Sequence, residues 1–360
     1  AGGNLQVIDI SNPAIPPLVG ELDTGYASGV ALSGTHAYVV DLGDAELLVV
    51  DITNPASPQL VGEVETWGGL PQGIALSGDY AYMADEWMGL HVIDISNPAS
   101  PQHMGGVSTP GDATRVAISG THAYVAAGEA DLQVIDVTNP ASPQLVGAVY
   151  MPGDAYGVAI SGIHAYVAVG EAGLQVVDIT DPASQQRVGG VDTPGAARGV
   201  AVSGPHAYVV GEAGLQVIDI TNPASPQLVG DVDMPCDARD VAISETHAYA
   251  TGSDGLQVID ITNPASPQLV GGMKMPSYNH TQGVALSETH VFVVGSYGLQ
   301  VAPLQCEGSV SVDEEVPAAL ALPQNHPNPF NPRTTLRYSL PSAGLVTLTV
   351  HDLRGGRVST

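Results

Sequence analysis

Histidine recurs at His36, His122, His164, His206, His247 and His290, with Tyr80 where a seventh would fall, and six imidazoles so regularly placed invite a zinc reading. Zinc needs its ligand nitrogens about 2.0–2.1 Å from one ion, whereas residues recurring at a long fixed period belong to separate structural units. A histidine packing at a hairpin is the expected role. Aspartate recurs likewise, at Asp9, Asp51, Asp94, Asp136, Asp178, Asp219 and Asp260, each just before an Asn-Pro or Asp-Pro turn. A carboxylate in that place accepts N–H groups of the following turn, so these seven are expected to hold backbone rather than do chemistry.

Positions that differ from unit to unit are better candidates for a site. One such position carries Ser28, Gln72, Thr114, Tyr156, Arg198, Arg239 and Gln282; two residues earlier stand Tyr26, Leu70, Asp112, Asp154, Ala196, Asp237 and His280. Arg198 and Arg239 are two of only five basic residues in the first 306, and a guanidinium binds a carboxylate bidentately, whether that of Asp237, of Asp240 or of a ligand. Glu129, Glu171 and Glu212 occupy three Gly-Glu-Ala loops, with Asp41, Asp85 and Asp254 in the corresponding loops elsewhere. Carboxylates are what calcium prefers, but calcium takes 6–8 oxygens and no Asp-x-Asp-x-Asp loop is present, so a solvated acidic rim is the expectation. Trp67 and Trp87, the only tryptophans, fall in two loops of one unit, where aromatic faces pack against sugar rings, peptide side chains or the loops themselves. No Gly-x-Ser-x-Gly, His-Glu-x-x-His, phosphate loop or dinucleotide fingerprint occurs.

The elements that carry these residues follow from an internal repeat. A Leu-x-Val-Ile/Val-Asp-Ile-like segment begins at Leu5, Leu47, Leu90, Leu132, Leu174, Leu215, Leu256 and, degenerately, Leu299. Each unit is a set of short β-branched runs broken by Gly, Pro and Asn, with no 3.6-residue period, which reads as four strands. Four strands repeated about every 40–45 residues make an all-β propeller. With the strands labelled A to D outward from the axis, the chain holds seven A, seven B, eight C and seven D strands. Seven four-stranded blades are expected, closed by Leu18–Leu22 as a D strand completing the last A-B-C set, with one C strand left over. An eight-bladed parent is the alternative. The D-to-A and B-to-C loops then share a top face, which carries the variable positions, and the A-to-B and C-to-D turns share the bottom.

The repeat resembles the LVIVD-repeat propellers of bacterial surface and secreted proteins, on LQVIDI at Leu5–Ile10, Leu215–Ile220 and Leu256–Ile261. Asn325-His326-Pro327-Asn328-Pro329-Phe330-Asn331-Pro332, Thr334–Pro341, Val346–Val350 and Gly355–Val358 resemble the C-terminal sorting domain of type IX secretion cargo. That likeness implies export across an outer membrane, with the protein secreted or held at the outer cell surface. The sorting-like segment runs for about two strands and reads as truncated. The expected organisation is a propeller over residues 1–306, an acidic linker over 307–324 and a partial sorting-like domain over 325–360.

Composition limits the partners. Nine Lys and Arg against 37 Asp and Glu give a formal net charge of −28; of this, residues 1–306 hold −27 and residues 307–360 −1. Such a field repels phosphate backbones, which excludes nucleic acid. No run approaches a membrane-spanning length of about 18 apolar residues. Cys236 and Cys306 make no disulfide framework, and a monomer is expected. The leading expectation is a binding module that takes glycan, peptide or small-molecule ligands on its top face through Trp67, Trp87, Tyr156, Arg198, Arg239 and Gln282. The competing one is a calcium- or zinc-assisted hydrolase of esters, lactones or phosphotriesters, with Asp112, Asp154, Asp237 and His280 around the cation.

Overall fold

The chain was described from a computed structural model over residues 3–14, 16–66, 68–235, 237–274 and 281–295, together with the tail pair Val350–His351 and Arg357–Ser359. It divides into two compact units, Ala1–Gln305 and Cys306–Thr360. The first is a ring of seven four-stranded antiparallel sheets. No helix among the described residues is long and apolar enough to cross a membrane.

The fifth blade shows how the sequence makes a sheet. Strand A is Ala197–Ser203, B is His206–Gly211, C is Gly214–Asp219 and D is Gln227–Val232. Ser203 pairs with His206 across a two-residue loop whose first residue, Gly204, has φ +55°, the conformation that such a hairpin asks of glycine. Strands B and C are buried on both faces, which is why they read as continuous apolar runs rather than alternating ones. Strand D lies outermost, and a bulge opposite Val217 and Ile218 increases its twist.

The A strands pack against one another in an unbroken circuit, so they line the central channel. The hydrophobic core is divided into seven layers, each lying between adjacent blades; Tyr124, Leu132 and Val134 of blade three, for example, meet Ala155, Val158 and Val167 of blade four. A glycine of the outer strand has an inter-blade role. A Cβ on Gly189 would overlap the carbonyl oxygen of Pro223, and one on Gly230 that of Pro264, because the Pro turn of each next blade lies on the D strand before it.

Closure departs from the expected one-strand exchange. The closing sheet takes Thr281–Leu286 and His290–Gly295 as A and B, but both C, Gly3–Asp9, and D, Leu18–Gly25, from the start of the chain. The reason is local. Leu5-Gln6-Val7-Ile8-Asp9 keeps the repeat, and Asp9 pairs with His290 in the same register as His206 with Asp219. In the competing run, Leu299-Gln300-Val301-Ala302-Pro303, the Asp position is Pro303, which has no N–H for a ladder. Leu5 and Val7 are fully buried against Val30, Val39 and Val50 of blade one.

Candidate functional site

At the bottom of the ring the structure repeats itself. The side chains of Asp51, Asp94, Asp136, Asp178, Asp219 and Asp260 each accept the N–H of the residue two positions on, at 2.8–2.9 Å, and Asp9 does the same with Ser11. The hydroxyl and N–H of that residue hold the first six carboxyls below the usual carboxylate range. The histidines lie on separate blades, each paired across its hairpin with the blade's aspartate, as His122 is with Asp136.

The channel mouth is different in every blade. Arg198 donates from Nε to Asp237 Oδ1 at 3.0 Å and from Nη2 to Glu212 Oε1 at 3.2 Å, and its Cζ lies 5.8 Å from the centre of the Tyr156 ring. The Tyr156 hydroxyl donates to Asp154 Oδ2 at 3.2 Å. Arg239 donates from Nη1 to Gln282 Oε1 at 3.0 Å. No carboxylate among the described residues lies within ion-pair distance of Arg239. Burial pulls the Arg239 pKa down, and the charges of Arg198 and Arg115 act in the same direction against that of Asp237.

Arg115 and Asp240 also belong to this site; the sequence offered Asp240 as a partner for Arg198 or Arg239, but its cationic neighbour is Arg115, which no sequence expectation named. Their position follows the variable one and is glycine in the other five blades: Gly29, Gly73, Gly157, Gly199 and Gly283. The inner strands crowd there, since a Cβ on Gly157 would lie 2.7 Å from the Arg198 carbonyl oxygen and one on Gly199 the same distance from that of Arg239. The two exceptions send opposite charges toward each other from blades three and six. Arg115 Nη2 approaches Asp240 Oδ2 at 4.0 Å and donates to the Gln282 carbonyl at 3.1 Å, while Nη1 reaches the Thr114 and Gln72 carbonyls at 3.1 and 3.4 Å. Asp240 accepts the N–H of Val284 at 3.1 Å; burial raises its pKa against the pull of Arg115. The signal was the break in the glycine series, two repeats in seven.

Across the mouth, Glu86, Asp112, Glu129 and Asp154, with Thr114 and Tyr156, line a hollow of about 280 Å³. Asp112 and Asp154 thus share one hollow, whereas Asp237 is engaged by Arg198. His280 and Trp67 lie outside the described residues, as do Cys236 and Cys306. Among the described residues, the group of carboxylates whose ligand atoms come within 4.8 Å of one another is Asp41, Asp44 and Glu46 of blade one. Trp87 is 69% exposed. Its loop is held by Asp85, whose fully buried carboxylate accepts the N–H groups of Leu70, Trp87 and Met88 at 2.9–3.1 Å. Burial pushes the Asp85 carboxyl up, but His91 and these N–H groups together hold it below the usual range. His91 in turn contacts His103, ring nitrogen to ring nitrogen, at 3.0 Å.

Solved structures share the ring. They include a functionally unknown protein from Desulfotomaculum acetoxidans DSM 771 (TM-score 0.63, 15% identity, 76% of this chain and 95% of that one) and the Cps50 (Swd1) β-propeller domain of Myceliophteria thermophila (0.62, 12%, 77% and 98%). The computationally designed Ika8 protein is also similar (0.54, 14%, 73% and 78%). At such identities the likeness is one of fold alone. No curated protein matches the sequence. The LVIVD repeat model matches residues 1–24, 24–66, 68–109, 110–150, 152–193, 194–234 and 235–274, one stretch after another through the ring. With the repeat unit, the four-stranded blade and the sevenfold ring in agreement, the chain belongs to the LVIVD repeat family.

Proposed function

We propose that this propeller is a binding module, displayed outside the cell, whose channel mouth takes the acid group of a glycan or protein ligand. The observation that carries the reading is the placement of charge. A ring of net charge −27 directs three of its five cations, Arg115, Arg198 and Arg239, to one place, and Arg239 is left without an ion-pair partner there among the described residues. The Arg115–Asp240 pair lies across the channel beneath it, so a ligand sits on the mouth rather than threading the ring. Trp87 offers an exposed aromatic face on the same side. The location outside the cell rests on the likeness of residues 325–360 to a sorting domain.

Titration calorimetry with a galacturonate oligosaccharide and an acidic peptide, against their neutral counterparts, tests this. The acidic probes should bind, and Arg239→Ala should weaken them about 10- to 100-fold, the worth of one charge-assisted contact. Equal binding of neutral and acidic probes, or an Arg239→Ala protein that binds as before, would sink the reading.

A further inference from the structure

A cavity of about 710 Å³ lies at the opposite end of the ring, between blades five, six and seven. Its origin is a change in two turns. In blades one to five the A-to-B connection is Ser-Gly-x-His or Ser-Gly-x-Tyr, with glycine at φ +55° to +59° and a pair closed between its ends, as Ser33 with His36. Blades six and seven carry Ser244-Glu245-Thr246-His247 and Ser287-Glu288-Thr289-His290 instead. Neither glutamate enters the left-handed region, and strand pairing stops one step earlier, at Ile243 with Ala248 and at Leu286 with Val291. Backbone and serine side chain close each turn together: Ser244 N–H donates to the His247 carbonyl at 2.8 Å and Ser287 N–H to that of His290 at 2.9 Å, while His247 N–H donates to Ser244 Oγ and His290 N–H to Ser287 Oγ, both at 3.1 Å. Two adjacent turns that lack the tight glycine loop thus border one groove.

We infer that this groove is a second binding site, for an uncharged pyranose of a glycan. Its lining includes the apolar side chains of Ile10, Ile243 and Leu286, which suit the C–H face of a sugar ring. The lining also includes Glu245 and Glu288, whose carboxylates accept hydroxyl hydrogens, and Ser11 and Ser203, whose hydroxyls both donate and accept; the Thr246 and Thr289 hydroxyls are engaged with the His247 and His290 rings at 2.8 and 2.7 Å. Among the described residues the two carboxylates form no close group with a third metal-ligating side chain, unlike Asp41, Asp44 and Glu46. No Lys or Arg among the described residues lines the groove, and its carboxylates repel an acidic sugar. The volume falls within the roughly 300–1,000 Å³ of small-molecule sites.

The site is independent of the channel mouth and is tested separately. Saturation-transfer NMR and calorimetry on the full chain would use maltotriose, cellotriose and mannotriose as neutral probes, with trigalacturonate as the acidic control. At least one neutral trisaccharide should bind, unaffected by Arg239→Ala. Glu245→Gln with Glu288→Gln should weaken it about tenfold, since a neutral amide is a poorer acceptor. Glu245→Gly with Glu288→Gly should abolish it by restoring the turn of the other five blades, with the melting temperature held or raised. Absence of binding by all three neutral probes at about 10 mM, the range of the weakest specific sites, would overturn the proposal, as would binding undiminished in both double variants.

Discussion

The two ends of the ring are built on opposite rules. At the bottom, one aspartate performs the same task seven times, and one histidine position faces it across the hairpin in six blades and a tyrosine in the seventh. At the mouth, seven equivalent positions carry Ser28, Gln72, Thr114, Tyr156, Arg198, Arg239 and Gln282, and each makes its own contacts. An interaction made in every blade serves the blade, because each blade poses the same packing problem to its neighbour. Chemistry directed at a single ligand has to break the repeat. The bottom groove fits this rule, since it lies where two of the seven turns depart from the others.

The widest difference to exploit is between two recurring glycines, one on the outer strand against the next blade and one in the A-to-B turn. Gly189→Ala drives a Cβ into the Pro223 carbonyl of the next blade, so thermal unfolding should show a loss of about 1–3 kcal/mol or more. Gly204→Ala meets open space and pays only for its left-handed φ, about 1–2 kcal/mol. If the two are equally harmful, the inter-blade contact is not what selects the outer glycines.

Within the mouth, Arg115 and Arg239 should separate. Arg115→Ala removes bonds to three carbonyls and strands Asp240 in the channel wall, so a loss of about 1–3 kcal/mol is expected in denaturant unfolding. Arg239→Ala should change stability far less and ligand binding far more. The reverse order would make Arg239 a structural residue.

The bottom aspartates predict an acid limb. Their folded pKa values lie below the ordinary one of 3.8, so the stability they contribute is present above that value and is lost as pH falls through the folded values. Melting temperatures should therefore drop steeply below about pH 4, and Asp219→Asn should flatten that limb slightly. A blade-one carboxylate shows the smallest effect and the opposite sign. Burial and the charges of Glu63, Asp41, Asp44 and Glu65 raise Glu46 from 4.5 to about 7, so its contribution is full below 4.5 and fades as pH rises through 7. Glu46→Gln should stabilise the protein modestly at pH 8 and hardly at pH 5; a pH-independent change would show that the carboxylates of blade one do not repel.

The sequence alone determined what depends on neighbours along the chain. Strand runs, turn glycines, the aspartate that holds its own turn and the number of units all follow from local pattern, because each blade is one solution repeated. The same periodicity left two C strands competing for the last blade; pairing decided for Leu5–Asp9, since Pro303 stands where the other would need its aspartate. Tertiary structure alone decided which unlike residues meet. Arg115 donates to the carbonyl of Gln282, 167 positions away, and faces Asp240 from another blade. Glu245 and Glu288, each where five blades have a turn glycine, border one groove because the ring sets blades six and seven side by side. Such encounters depend on the curvature by which seven blades close, and no stretch of local sequence records the distance across a channel.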